Sequence, residues 1–217
     1  MKTIILAFLV AGSVGVLAQN AATNPPVSSQ LSLAKALVLY SDLTERTVLQ
    51  YPALPNAKLT LNLTTTNRME IARAIEISAA TNGITLMPDG EKFVLVAPTF
   101  AANRLNPQAA KIPFAGTNDP TARIFPRHSI NWTAVRVTQA LPIYAELLGQ
   151  KLDSSGLPPQ AAYLEMVFIN QTALTKAELS YGLETLFGWN GIKLVPAGDG
   201  LVRAVPVEAD TSKPPVK

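Results

Sequence analysis

The sequence predicts an α+β fold: two small two-layer modules in tandem, each running helix, strand, helix, strand, strand. Three observations predict it. Residues 70–98 and 178–206 are identical at ten of 29 positions, with Asn82-Gly83-Ile84 falling on Asn190-Gly191-Ile192 and Pro98 on Pro206. The apolar period changes from helical to alternating in the same order in both stretches. Turn residues punctuate the two stretches at matching places. Two copies are too few for a solenoid, so each reads as a compact module with a core of its own.

The elements follow in order. Leu37, Tyr40 and Leu43 sit three apart, as do Leu141, Tyr144 and Leu147, which places each trio on one face of a helix. Pro142 fits the second of these helices if it lies in the first turn, where no backbone donor is lost. Leu59, Leu61 and Leu63 alternate with Thr60 and Asn62, and Leu164, Met166 and Phe168 alternate with Glu165 and Val167; both stretches read as strands. A second helix follows in each module, marked by Ile71, Ala74, Ile75 and Ser78 and by Leu179, Gly182, Leu183 and Leu186. Asn82-Gly83 and Asn190-Gly191 end these helices, because glycine accepts the left-handed terminating conformation. A hairpin closes each module, turning at Asp89-Gly90 and at Ala197-Gly198-Asp199-Gly200. A leading strand at Ile130 to Val135 is predicted as an option in the second module. Two helices then cover one face of a three- or four-stranded sheet.

The boundaries predicted are a signal peptide at 1–18, a flexible lead-in at 19–30, module one at 31–98, a proline-rich linker at 99–128, module two at 129–207 and a disordered tail at 208–217. Lys2, the uncharged stretch Thr3 to Leu17 and Val16-Leu17-Ala18 form the signal, with cleavage expected after Ala18 and a periplasmic destination. An uncleaved anchor is the alternative. No second long apolar run follows, so no integral membrane segment is expected after cleavage. With no cysteine, the chain has neither disulfides nor thiolate metal sites. Its net charge is only +3, and Lys and Arg are dispersed, which argues against a nucleic-acid partner.

Reactive constellations are sparse. His128 is the sole histidine, in Pro126-Arg127-His128-Ser129, and cannot build an ordinary zinc site alone. Ser32-Leu33-Ala34-Lys35 matches the S-x-x-K element of serine acyl-transferases, but its partner motifs are missing; the plainer reading is a helix cap and a surface lysine. Glu70 and Glu178 recur at equivalent first-turn positions, where the helix dipole favours acids without any reaction. The triplets at Asn62, Asn131 and Asn170 match glycosylation acceptors and are read as incidental. No cofactor is expected, because no phosphate loop or dinucleotide fingerprint occurs. The candidate interaction residues are Trp132, Phe187 and Trp189; a wedge into the core is the commoner role of such aromatics.

The order strand, helix, Asn-Gly-Ile, short hairpin, Val-x-x-x-Pro resembles the short N-terminal domain shared by secretins and TonB-dependent transducers. Residues Tyr40-Ser41-Asp42-Leu43-Thr44-Glu45-Arg46-Thr47-Val48-Leu49, followed by Pro52-Ala53-Leu54-Pro55, resemble the periplasmic repeats of type II secretion secretins in particular. Module two keeps less of this, in Tyr144-Ala145-Glu146-Leu147-Leu148-Gly149. The long pore-forming domain of a secretin has no counterpart among these residues. The resemblance therefore implies a non-enzymatic exported scaffold, an accessory of type II secretion or type IV pilus machinery, partnered by a secretin ring or by its own copies. A stand-alone periplasmic sensory or ligand-binding protein is the alternative. An envelope hydrolase rests on S-x-x-K alone.

Overall fold

Strand β1 (Val27–Ser32) leads into helix α1 (Leu33–Thr44), and a short strand β2 (Thr47–Gln50) follows. Then come β3 (Lys58–Leu63), α2 (Arg68–Thr81) and the hairpin β4 (Ile84–Asp89) and β5 (Phe93–Pro98). The computed structural model describes residues 27–63, 65–102, 105 and 124–207; the expected signal, most of the expected linker and the tail from 208 lie outside the described residues. After the one-turn helix α3 (Thr99–Ala102) and β6 (Ile124–Phe125), the second half contains β7 (Asn131–Arg136), α4 (Val137–Leu148) and β8 (Lys151–Asp153). A 3-10 turn (Pro159–Tyr163) precedes β9 (Glu165–Ile169), β10 (Leu174–Thr175), α5 (Lys176–Trp189), β11 (Ile192–Pro196) and β12 (Leu201–Pro206). The fold is α+β.

The two halves share their strand pairings. In the first, β1 is antiparallel to β3, β2 is parallel to β5, and β4 is antiparallel to β5. In the second, β7 is antiparallel to β9, β8 is parallel to β12, and β11 is antiparallel to β12. The helix ends match as well. The Asn82 and Asn190 side chains each donate to the carbonyl four residues back, both at 2.8 Å, and Gly83 and Gly191 take φ of 70° and 75°. That is the left-handed conformation in which glycine carries no Cβ penalty.

Sequence-based expectation and structure differ at several points. The first half begins at Val27, inside the expected lead-in, because β1 hydrogen-bonds along the whole of β3. The expected linker contributes α3 and β6, the latter paired with β10. The single sheet expected in each half is divided into a two-stranded ribbon and a three-stranded sheet. In the first half, β3 pairs with β1 and stands apart from the β2–β5–β4 sheet, and the connection from β2 to β3 carries Pro52 and Pro55. Pro142 lies in the second turn of α4, not the first. Its ring faces solvent, so the carbonyl it leaves without a helical donor can be hydrated.

The cores are not independent, which corrects the expectation of one closed interior per module. On β5, Val94 and Val96 face α1 and α2 with Ile75, Leu37 and Tyr40, whereas Phe93 and Leu95 join Phe168, Leu179 and Leu183 of the second half. On β2, Val48 goes one way and Leu49 the other. Successive side chains of a strand point to opposite faces, so an uninterrupted apolar run such as Phe93-Val94-Leu95-Val96 belongs to a sheet covered on both sides. Each of these side chains contributes about 1.5–3 kcal/mol on full burial.

Candidate interaction surfaces

The junction between the halves is built from α5 and from the segment that links β9 to β10. Helix α5 turns Leu179, Leu183 and Leu186 into its own half and Tyr181, Gly182 and Trp189 towards the first. Gly182 allows the close approach: a Cβ there would lie 3.1 Å from Phe168 and 3.3 Å from Phe93. Tyr181 stacks at a tilt on Phe93, with ring centroids 5.4 Å apart, and its hydroxyl donates to the buried Asp89 carboxylate. Trp189 meets Tyr51 at 5.7 Å, and an ion pair joins Arg127 to Asp42 on the outside.

Asn170-Gln171-Thr172 forms a buried polar clasp. The Asn170 carbonyl accepts from the Ile130 backbone at 2.8 Å, while its amide donates to the backbone carbonyls of Pro126 at 2.6 Å and Thr172 at 3.2 Å. Gln171 accepts from the Val48 backbone N–H at 2.9 Å, which caps the free edge of β2 with a side chain. The hydroxyls of Thr172 and Thr47 lie 2.9 Å apart, and the Thr172 N–H donates to Thr47 at 3.3 Å. Buried polar groups satisfied on every side fix one register, since a slip would strand several of them. From the sequence this triplet reads only as an incidental glycosylation-type match; the signal for a buried clasp was three consecutive polar residues between two apolar segments.

The three aromatic candidates land in three different places. Phe187 is fully buried and meets Tyr144 edge-on at 5.6 Å, so it is a core residue and not a contact for an outside partner. Trp189 is half-buried at the internal junction. Trp132 is half-buried on the wall of an open groove of about 480 Å³, lined also by Phe125, Ile130 and Leu147 and by the exposed Ile124 and Ile143. The other candidates take plain roles. Ser32 caps α1 through the Lys35 N–H, with Lys35 exposed, and Glu178 closes a capping box with Thr175 at 2.7 Å. His128 is exposed, with φ of 61°.

No family model matches the chain, and no curated protein matches it.

One contact recurs in both halves. The buried Tyr40 hydroxyl donates to Glu76 at 2.7 Å, and Tyr144 donates to Glu184 at 2.5 Å, each tying the first helix of its half to the second. Burial first, then the adjacent carboxylate, pushes both hydroxyls above the ordinary tyrosine range. The sign follows from linkage. The protonated form is favoured in the fold, so this contribution is complete below pH ~10 and is lost as pH rises beyond it. An ultraviolet titration should show Tyr40 and Tyr144 missing from the native tyrosinate transition near pH ~10 and appearing only on alkaline unfolding. Ordinary ionisation of either would contradict the buried geometry. Replacing either by Phe should cost about 1–2 kcal/mol in denaturant unfolding.

Proposed function

We propose that this chain is a non-enzymatic interaction protein of the bacterial envelope, exported to the periplasm as an accessory of secretin-type secretion or pilus machinery. The observation that carries the reading is the pair of halves with matching helices and strand pairings, the second adding a 3-10 turn and β10, built on residues that resemble secretin periplasmic repeats. Such a pair reads as a duplicated docking unit. The clasp holds the halves in one relative position, so surfaces on both can engage a partner together without a further ordering cost. The outer edges of β4 and β11 and the Trp132 groove are the places where a neighbour could add a strand or insert a side chain.

In vivo cross-linking followed by co-purification tests this. The expected result is recovery with a secretin-ring component or with further copies of the chain. Recovery of monomer alone would count against it. The Trp132 groove also favours a second reading, a ligand-binding or sensory protein. A small apolar compound held there, with Trp132 fluorescence responding, would shift the assignment to that reading.

A further inference from the structure

The first-half sheet face that meets the second half at the junction has a counterpart in the second half that stays largely open, touched by the Ser155-Gly156 turn beside β8. The first-half sheet offers Leu49, Phe93 and Leu95 to α5 and β9. In the second half, Leu201 and Arg203 stand 108 residues on from Phe93 and Leu95, and Asp153 pairs in register with Arg203 as Leu49 does with Leu95. An apolar pair in one half is thus an ion pair in the other, with Arg203 Nε 2.7 Å from the Asp153 carboxylate. Ser155, by its hydroxyl and its N–H, and then Arg203 hold that carboxyl down at about 2. Around the pair lie exposed Lys151 and Lys193 and the half-buried Val195, Leu201 and Val205. Among the described residues, no helix covers this face.

We propose that the open face of β8, β12 and β11 docks an amphipathic helix of a partner protein, with an aliphatic seam flanked by carboxylates. This rests on the reading of the chain as an interaction protein. Helical shape is argued from the first half, where the same face receives a helix. Acidic flanks are argued from charge, because Lys151, Lys193 and Arg203 outnumber the single carboxylate of Asp153. The apolar ribs between them supply the contact area.

The test is backbone amide NMR on the full chain with two stapled helices of about four turns, each with a Leu/Ala seam, one flanked by Glu and the other by Lys. The acidic helix should shift the amides of Lys193, Val195, Leu201 and Arg203, and the basic one should not. Lys151→Glu with Lys193→Glu, which leaves the Asp153–Arg203 pair in place, should weaken binding about tenfold with an unchanged circular dichroism spectrum. Shifts confined to the Trp132 groove or to β4, equal response to both helices, or no shift would overturn the proposal. These outcomes are separate from the cross-linking experiment. A double variant still recovered with its partner would remove this face and keep the interaction reading. A wild-type chain recovered alone would do the reverse if the acidic helix still bound here.

Discussion

Leu49→Asp combined with Leu95→Arg should unseat the halves. The double change writes the second half's ion pair into the first, where the register is the same but the surroundings are dry. Two side chains at 0% and 1% exposure lose burial worth about 1.5–3 kcal/mol each. The new charges forfeit hydration worth several kcal/mol apiece, which their mutual attraction recovers only in part. A loss of about 5 kcal/mol is expected, on the scale of the whole stability of a typical domain. Urea unfolding should show a much lower midpoint or a transition split in two, and amides of Thr47–Gln50 should exchange faster. A single transition at the original midpoint would show that this face is not part of a shared core. Asp153→Leu with Arg203→Leu lies on an open face and should leave folding nearly untouched.

Asn170→Ala is expected to cost about 2–3 kcal/mol, because it removes from a fully buried site the side-chain partner of the Ile130 N–H and the Thr172 carbonyl, while the Pro126 carbonyl keeps the Ser129 N–H at 3.0 Å. Asn170→Asp provides the sharper test. The new carboxylate can still accept from Ile130, but its second oxygen faces the carbonyls of Pro126 and Thr172. Only the protonated acid can donate there, so the native pKa of the introduced group rises. The variant should therefore be most stable below the ordinary carboxylate range near ~4 and lose stability as pH rises through the raised value. Denaturant midpoints measured across acid and neutral pH would check this. A flat profile would mean that water replaces the amide and that the clasp contributes little.

What was legible in the sequence was local. The spacing of Leu37, Tyr40 and Leu43 and of Leu179, Leu183 and Leu186 gives the helices, the alternation about Thr60 gives β3, and the Asn-Gly pairs give the helix ends. Strands β2 and β8 were missed because four and three residues show no period. β1 was missed because its Val27-Ser28-Ser29-Gln30 start is too polar to read as a strand; its pairing comes from β3. The contact between Tyr40 and Glu76 spans 36 residues, and the clasp spans more than 120, so neither leaves a periodic trace. The same holds for Phe187. Its neighbours in sequence resemble a surface turn, and only its packing on Tyr144 shows it to be core.

Sharing a core has a price in time. A chain made from its N-terminus completes β5 long before α5 exists, and at ~5–20 residues per second the delay is roughly 5–20 s. Throughout it, Leu49, Phe93 and Leu95 form an uncovered greasy patch on a half that has otherwise finished folding. The late arrival of Tyr181 and Gly182 extinguishes that patch, so the interval before they emerge is when a newborn molecule is most prone to clump and most in need of a chaperone's cover.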